Sequence, residues 1–313
     1  MTTLDALEGL HGAVAVRDGE TLLEHYGSGP DTRWAQALGD IDFGPETLHD
    51  IRSVTKSVTA LLYGIALGEG KVPAPSEPLL RYFPQYPDLA ADPERARLTV
   101  EHALTMSLGL EWREDVPYTT LDNSEVAMEF APDRYRYILG RPVTAPPGAA
   151  WSYCGGATAL LGHLIAEGTG TALPEYARTR LFEPLGVEHF EWITGRDGVP
   201  SAASGLRLTP RALARVGGLL LGAGGGVVPE PWLREVLRPR LRTEWGPEYG
   251  FQWYVDEIDG HRVWLGMGNG GQRLYVLPDL RLVVAVTAGN YDGDEQWKTP
   301  NAVLQEFVLP KLA

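Results

Sequence analysis

Apolar residues follow two different periods along this chain, and the change of period separates its middle from its two ends. In the middle they recur at helical spacing. The clearest case predicts a helix that ends near Gly68 and Gly70, with apolar positions at Val54, Val58, Leu61, Leu62 and Ile65. The same spacing predicts further helices at residues 99–108, 157–167, 173–182 and 210–221, with Thr99 and Thr209 as N-caps.

Short apolar runs broken by turn residues predict strands near both ends of the chain. Residues 12–27 predict a pair of strands around an Asp18-Gly19 turn. Four more strands are expected near the C-terminal end, at residues 251–255, 262–265, 272–277 and 282–288, followed by a helix at 300–309. Residues 73–98 are rich in Pro, Asp and Arg, which favours a long surface loop.

These elements predict an α/β chain (of the α+β type) in which one sheet draws its strands from both termini. We expect a sheet lobe formed by residues 1–60 and 205–313, and a mostly helical lobe formed by residues 61–204. Active sites often lie in the cleft between two such units.

Composition excludes several classes of function. The 313 residues carry a net charge of −14, which argues against nucleic-acid binding because that needs a basic face. The chain has no apolar run long enough to cross a membrane, and its start lacks the pattern of a signal peptide. Cys154 is the only cysteine, so no intrachain disulfide can form. We therefore expect a cytoplasmic protein with neither a membrane nor a nucleic acid as partner.

Ser53 and Lys56 are the first candidates for chemistry. Only four of the 27 basic residues are lysines, so a lysine at this position is not simply this chain's usual cation. Arginine keeps its proton, whereas a desolvated lysine can lose one. Residues i and i+3 share a helix face, so Lys56 would lie beside the Ser53 hydroxyl as its base. This role requires Lys56 to be neutral for part of the time, which desolvation would favour.

Several stretches resemble one known family and occur in that family's order. They are Ser-Val-Thr-Lys-Ser-Val-Thr-Ala-Leu-Leu (53–62), Leu-Thr-Val-Glu-His-Ala-Leu-Thr-Met-Ser-Leu-Gly-Leu-Glu-Trp (98–112), Pro-Pro-Gly-Ala-Ala-Trp-Ser-Tyr-Cys-Gly-Gly-Ala-Thr-Ala-Leu-Leu-Gly (146–162), Leu-Phe-Glu-Pro-Leu-Gly-Val (181–187), Gly-Leu-Arg-Leu-Thr-Pro-Arg (205–211) and Gly-Asn-Gly-Gly-Gln (268–272). This pattern resembles the serine β-lactamase-like hydrolases, which include class C β-lactamases, penicillin-binding proteins, esterases and 6-aminohexanoate-dimer hydrolases. The resemblance covers about residues 12–290 and implies the β-lactamase/transpeptidase-like fold.

The resemblance also implies a third catalytic residue and shows two departures. Tyr153 stands at the position of the family's catalytic tyrosine, which can relay a proton to the leaving group. The family pattern is often Tyr-x-Asn, but Gly155 stands where the asparagine belongs. The third motif often carries Lys or His, but here it has Asn269, Gly270 and Gly271. These changes disfavour turnover of β-lactams and leave acyl transfer in general open.

The remaining candidates concern the oxyanion and the substrate. If the third motif aligns as it does in the family, the N–H groups of Ser53 and Gln272 form the oxyanion hole. Asn269, Gly270 and Gly271 would then contact the substrate, and the segment 113–135 would cover the cleft. Four aromatic residues are candidates for an acyl pocket: Trp112, Tyr118, Trp245 and Trp253.

The sequence predicts a cofactor-free serine hydrolase that cleaves an ester or amide of a small molecule through a Ser53 acyl-enzyme. The seven histidines show no metal-ligand spacing, so we expect no metal. One alternative is a transacylase in small-molecule biosynthesis, in which an amine or alcohol replaces water. Another is a non-catalytic relic that binds a ligand. The oligomeric state stays open.

Overall fold

A computed structural model describes residues 3–222 and 226–312 of the chain. The strands within these ranges are β1 Leu10–Arg17, β2 Glu20–Tyr26, β3 Ser28–Arg33, β4 Gln36–Asp42, β5 His49–Asp50, β6 Glu191–Trp192, β7 Leu206–Leu208, β8 Leu241–Arg242, β9 Glu248–Tyr249, β10 Tyr254–Ile258, β11 His261–Gly268, β12 Gln272–Leu277 and β13 Leu282–Ala288. The helices are α1 Val54–Gly68, α2 Pro87–Ala90, α3 Val100–Leu104, α4 Ser124–Phe130, α5 Arg134–Leu139, α6 Gly155–Thr169, α7 Leu173–Ala177, α8 Pro210–Gly218, α9 Glu230–Val236 and α10 Lys298–Ala302.

Eight of these strands form one antiparallel sheet in the order β2-β1-β13-β12-β11-β10-β9-β8. β1 from the N-terminal end pairs with β13 from the C-terminal end, so both termini build the same sheet. This arrangement confirms the fold class expected from the sequence. The division into two lobes stays a prediction.

Two short turns fix the register of the sheet. Asp18 and Gly19 have φ values of 52° and 85°, and Asp259 and Gly260 have 51° and 80°. Left-handed values at both central residues define the turn that suits the twist of a two-residue hairpin. The Asp18-Gly19 turn between the first two strands is thus confirmed.

Both faces of the sheet are covered. Along β13 the side chains alternate between two apolar clusters, with Val283 and Ala285 in the larger one and Val284 and Val286 in the other. Because both clusters exclude water, all seven residues of β13 are buried. The larger cluster includes α1, whose residues 54–66 are all buried.

The structure differs from the expectation of a surface loop at residues 73–98. This segment forms short helical turns that include Leu79–Tyr82 and α2, and it is anchored in the core by Leu79, Phe83 and Leu98. Its apolar residues are separated by Pro, Asp and Arg and follow no regular period, so composition concealed their burial.

Several other predicted elements also begin or end elsewhere, and two of them differ for one reason. The helix expected at 99–108 ends at Leu104, and the strand expected at 251–255 begins at Tyr254. Gln252 accounts for both differences. It has a φ of 61°, and its side-chain amide donates to the carbonyl oxygens of Ala103 and Leu104. Among the described residues, no helix has the length and apolar character needed to span a membrane.

Candidate active site

Ser53 stands at the junction between β5 and the buried helix α1. It occupies the N-cap position, but its side chain makes no capping hydrogen bond, so its Oγ is left for another partner. The preceding residue, Arg52, has a φ of 49°, a left-handed value that is uncommon for a residue other than glycine. The side chain of Ser53 therefore faces the interior at a sharp turn and is only 9% exposed.

Lys56 lies one turn along α1 and is 2% exposed. Its Nζ has three hydrogen-bond partners: Ser53 Oγ at 3.0 Å, Ala203 O at 3.1 Å and Glu125 Oε2 at 3.2 Å. A lysine ammonium has three N–H donors and no acceptor. The three partners therefore match a charged Lys56 that donates to the Ser53 hydroxyl.

Desolvation was expected to favour a neutral Lys56 for part of the time, but it does not prevail at this site. Burial does act to lower the pKa of Lys56, but the Glu125 carboxylate, followed by Tyr153 and Glu114, raises this pKa above its ordinary value. The nearby carboxylates outweigh the desolvation. Sequence reasoning missed this outcome because neither acid is close to Lys56 along the chain.

Tyr153 lies directly against the other two candidates. Its ring centroid is 5.0 Å from Lys56 Nζ, and both Lys56 and Ser53 act to lower the pKa of its hydroxyl. Burial raises the pKa of Tyr153 to about 12, although Lys56 acts in the opposite direction. Trp151 and Trp245 flank the ring, with centroid separations of 6.0 and 5.5 Å. The structure thus brings Ser53, Lys56 and Tyr153 together.

Glu125 is a site residue that the sequence analysis did not identify. It is 3% exposed and lies in the first turn of α4, where the side chain of Asn123 caps the N–H groups of Glu125 and Val126. Burial acts against the charge of Glu125, but Lys56 lowers the pKa of this carboxyl below its ordinary value. The Asn123 cap could have predicted α4, but not that Glu125 would face Lys56.

Glu114 is the second acid that the sequence analysis missed. Its Oε1 accepts hydrogen bonds from Trp112 Nε1 and from the backbone N–H of Gly155, each at 2.5 Å, and its Oε2 accepts one from the Tyr118 hydroxyl at 2.8 Å. Burial, and after it the Glu125 carboxylate, raises the pKa of Glu114 to about 7. At pH 6 the carboxyl of Glu114 is therefore mostly neutral, whereas the neighbouring carboxyl of Glu125 is charged.

The oxyanion role expected for Gln272 does not fit the structure. Gln272 is fully buried at the start of β12, which has neighbours on both sides, and it pairs with Gly268. Its side chain exchanges hydrogen bonds with the backbone of Ala288 in β13. The strand that adjoins the nucleophile is β11 instead, where a Cβ on Gly268 would lie 2.5 Å from Ile51 O.

The three residues of the third motif separate into two groups. Asn269 lines a cavity, and its side chain exchanges hydrogen bonds with Asp292 at 2.8 Å. Gly270 and Gly271 form the turn between β11 and β12 with φ values of 89° and 93°. The N–H of Gly270 donates to Gln296 Oε1, so it is not free to bind a substrate. These two glycines serve the turn.

The four aromatic candidates for the acyl pocket occupy different places in the structure. Trp253 has no exposed surface and donates to Ser57 O, so it belongs to the core and cannot contact a substrate. Trp112 packs against Gly156 and holds Glu114, which gives it a supporting position rather than a pocket position. Tyr118 lines the cavity, and Trp245 lies exposed beside Tyr153.

A cavity of about 330 Å³ opens beside Glu125. Its apolar wall comes from both lobes expected from the sequence and includes Trp34, Tyr118, Val126, Phe130 and Tyr291. The segment 113–135 supplies several of these side chains. The cavity is large enough for a small acyl or leaving group.

Two histidines and an aspartate that are separated in the sequence lie together behind this cavity. His11 Nδ1 lies 2.9 Å from His49 Nε2, which lies 3.5 Å from Asp31 Oδ1. Burial, then His49, lowers the pKa of His11 to about 4. Hydrogen bonds account for this group: His49 Nδ1 donates to Asp50 O, and Tyr291 donates to Asp31. It thus supports Tyr291 at the cavity wall.

Comparison with known proteins places this geometry in context. The profile of the Beta-lactamase family matches residues 4–305. The 6-aminohexanoate-dimer hydrolase of Paenarthrobacter ureafaciens is 26% identical over 305 residues, which cover 90% of this chain and 73% of that enzyme. Esterase EstB of Burkholderia gladioli is 29% identical over 191 residues, which cover 57% of this chain and 46% of the esterase. The match thus spans less than half of the esterase's length.

A solved structure from Bacillus anthracis, provisionally assigned as a 6-aminohexanoate-dimer hydrolase, has the same fold. It superposes with a TM-score of 0.80 at 19% identity and covers 97% of this chain and 80% of its own. At that identity the likeness establishes the fold alone.

Proposed function

This chain belongs to the Beta-lactamase family and is an enzyme of its serine hydrolase type, and we propose that it cleaves an ester or amide bond of a small molecule through an acyl-enzyme on Ser53. The relatives named as an amide hydrolase and an esterase support this breadth of substrate.

One observation carries the proposal: Lys56 Nζ lies 3.0 Å from Ser53 Oγ, and the ring of Tyr153 lies 5.0 Å from the same Nζ. An activated hydroxyl needs a positioned group that can accept its proton, at hydrogen-bonding distance. The position of Ser53 at the start of the 15-residue helix α1 also favours negative charge that develops there.

The proposed reaction has two halves. Lys56 and Tyr153 together remove the proton of Ser53, and Ser53 Oγ attacks the carbonyl carbon of the substrate. Tyr153 then donates a proton to the leaving alcohol or amine. In the second half, water attacks the acyl carbon and the bond to Ser53 Oγ breaks. The carboxylic acid leaves, and a proton from the water restores the Ser53 hydroxyl.

We place the second oxyanion donor on β11 rather than on Gln272. Ile258 and His261 close the two-residue turn between β10 and β11. From His261 onward, the backbone N–H groups of alternate β11 residues therefore face β10, as far as Leu265, which pairs with Tyr254. The next residue whose N–H faces this side is Met267, and it lies beyond the start of β10, so β10 has no residue opposite it. Its N–H therefore faces the open edge beside the nucleophile. Paired with the Ser53 N–H, such a donor is worth about 3–4 kcal/mol in the transition state.

The test is the intact mass of the protein after brief exposure to a p-nitrophenyl ester of a short-chain acid. The wild type should gain the mass of the acyl group with a burst of nitrophenol, and Ser53→Ala should gain none. Ser57→Ala is the matched control, because Ser57 lies one turn further along α1 and donates to Gln252 O instead. An adduct on Ser53→Ala would overturn the proposal.

The same experiment separates the alternatives. The apolar wall of the cavity is compatible with a bound amine or alcohol as acceptor, and product analysis with mixed acceptors would identify a transacylase. A wild-type protein that forms no adduct with activated esters or fluorophosphonates would instead favour a ligand-binding relic.

A further inference from the structure

Gly155 leaves a space beside Lys56, and Glu125 fills it. A Cβ placed on Gly155 would lie 2.0 Å from Glu125 Oε2 and 3.0 Å from Glu114 Oε1. Real Cβ atoms do not approach other atoms to 2.0 Å. Glycine at this position and the carboxylate of Glu125 therefore depend on each other sterically, since no larger residue at 155 fits while Glu125 keeps its place.

Position 155 is also where the sequence departs from the Tyr-x-Asn pattern. A side chain there would project toward the Lys56 amine, because the nearest atom to its Cβ is the oxygen that accepts from Lys56 Nζ. The side chain of Glu125 reaches the same point from α4 instead of from α6. The group that accepts a hydrogen bond from Lys56 thus comes from a different element but occupies the same place.

Glu125 is itself firmly held. Its backbone N–H is capped by Asn123, its side chain accepts a hydrogen bond from Lys56 Nζ, and the nearby Ser204 and Glu114 side chains act to lower the pKa of its carboxyl. Glu114 in turn is fixed by Trp112, Tyr118 and the N–H of Gly155. A buried charge requires such partners. The carboxylate is thus held by its bond to Lys56 and by the fixed groups around it.

We propose that Glu125 is the positioning residue for Lys56: it occupies the volume that an asparagine side chain at 155 would fill, and it keeps Lys56 protonated in the resting enzyme. The inference deepens the proposed function and rests on it for its catalytic consequence. The charge of Lys56 itself can be measured without any assay of activity.

This arrangement has a consequence for the first proton transfer. A charged Lys56 cannot accept the Ser53 proton until it gives one up, and Glu125 Oε2 is the carboxylate in reach. One proton passes from Lys56 Nζ to Glu125 as the Ser53 proton passes to Nζ. Lys56 then again holds three protons, Glu125 is a neutral acid, and the negative charge has moved to the substrate oxyanion. The reverse transfer, through Lys56 and Tyr153, returns a proton to the leaving group.

The titratable groups around Lys56 come from each element that packs against it. They are Glu114 and Tyr118 before α4, Glu125 in α4, and Tyr153 and Cys154 before α6. Arg273 of β12 lies behind Tyr153. Glu125 is nearest to Nζ among the carboxylates and the first of them in its effect.

The scarcity of lysine makes the charge of Lys56 directly measurable. The chain has only Lys56, Lys71, Lys298 and Lys311, so a protein labelled with ¹⁵N-lysine gives few Nζ signals, and Lys56→Arg assigns the buried one. We expect the wild-type Lys56 signal to stay in its protonated position after the other lysines have titrated. In Glu125→Gln, which keeps the side-chain shape, it should titrate at a lower pH than in the wild type, because burial is then opposed only by the weaker effects of Tyr153 and Glu114.

Glu129→Gln is the matched control for this titration. Glu129 is the next buried acid of α4, one turn beyond Glu125, but it pairs with Arg134 instead of Lys56. The Lys56 signal should be unchanged in this variant. A Lys56 signal that titrates with the other lysines in the wild type, or that does not move in Glu125→Gln, would overturn the proposal whether or not the enzyme has been assayed.

Kinetics test the catalytic consequence. Glu125→Gln should lower kcat for a p-nitrophenyl ester by about 100-fold with little change in KM, and its pH profile should shift with the new pKa of Lys56. A role in folding alone would lower thermal stability without moving the pH profile.

A double substitution tests the steric exchange. Gly155→Asn alone should be nearly inactive because of the clash, Glu125→Ala alone should leave Lys56 without its partner, and Glu125→Ala/Gly155→Asn should be at least about tenfold more active than either. A double variant no better than Glu125→Ala would contradict the exchange. If the wild type forms no acyl-enzyme, the proposed function fails while the titration still decides the charge of Lys56.

Discussion

The guanidinium group of Arg52 lies over the ring of Tyr291, with 4.6 Å between the guanidinium carbon and the ring centroid. The same guanidinium donates to Thr32 Oγ1 at 2.7 Å and to Trp34 O at 3.0 Å, and it lies 3.6 Å from a carboxylate oxygen of Asp50. Arg52 carries the left-handed backbone directly before Ser53. Its side chain therefore holds the turn that aims the nucleophile.

Arg52→Ala should lower kcat by about 100-fold, because a displacement of the nucleophile by about 1 Å can cost that much. The wild type and the variant would be compared by burst kinetics with the p-nitrophenyl ester and by thermal unfolding. Arg281→Ala is the control, since Arg281 has a similar φ of 51° but lies in an exposed turn beside Asp18. Equal rate losses in both variants would contradict this role of Arg52.

Tyr153→Phe should lower kcat by about 100- to 10,000-fold and leave KM nearly unchanged, because it removes the proton relay but keeps the ring. The remaining ring still packs against Trp151 and Trp245. Steady-state kinetics with an ester and an amide substrate would measure the loss. Tyr254→Phe, in the same aromatic cluster, removes a hydroxyl outside the proposed relay and should behave as the wild type. A Tyr153→Phe enzyme with full kcat would remove Tyr153 from the mechanism.

Glu114→Gln should change how stability depends on pH. The pKa of Glu114 in the folded protein is about 7, above its ordinary value of 4.5. A raised pKa contributes stability that is complete below the unfolded pKa and is lost as pH rises through the folded pKa. The wild type should therefore lose on the order of 3 kcal/mol of unfolding free energy from this group between pH 4.5 and 8.

Glutamine cannot ionise, so the variant should match the wild type near pH 4.5 and become the more stable of the two near pH 8. Thermal melts across this range measure the difference, in which contributions from the histidines and from Glu129 cancel. Glu111→Gln, an exposed substitution on the same segment, should follow the wild type at every pH. A constant offset between Glu114→Gln and the wild type would contradict the prediction.

Val126→Phe should narrow the cavity and select against large substrates. Val126 lies in α4 beside Glu125 and lines the cavity of about 330 Å³. We expect kcat/KM for p-nitrophenyl esters to fall more steeply with acyl length in the variant than in the wild type, with acetate least affected. Leu121→Phe is the control, because Leu121 is 65% exposed and does not line the cavity. An unchanged dependence of kcat/KM on acyl length would show that the acyl group of the substrate does not enter this cavity.

The local pattern of the sequence was sufficient for the most regular elements and for the first pair of catalytic candidates. Helical spacing predicted α1, and the i, i+3 relation between Ser53 and Lys56 is a property of any helix. The strands 272–277 and 282–288 were predicted at the bounds that the structure has. The turn before the first of them contains Gly270 and Gly271, which suit left-handed backbone. The resemblance to the family then supplied Tyr153 and the fold.

The tertiary structure decided everything that depends on contacts between distant residues. Trp253 was a pocket candidate by type, but packing placed it in the core. Gln272 was an oxyanion candidate by alignment, but strand order placed it inside the sheet.

The charge of Lys56 is the clearest case. Its own sequence neighbours favoured a neutral amine, because an apolar helix desolvates it. The carboxylate of Glu125, 69 positions away along the chain, lies 3.2 Å from Nζ and reverses that preference. Electrostatic energy depends on separation in space, and no local pattern in the sequence records that separation.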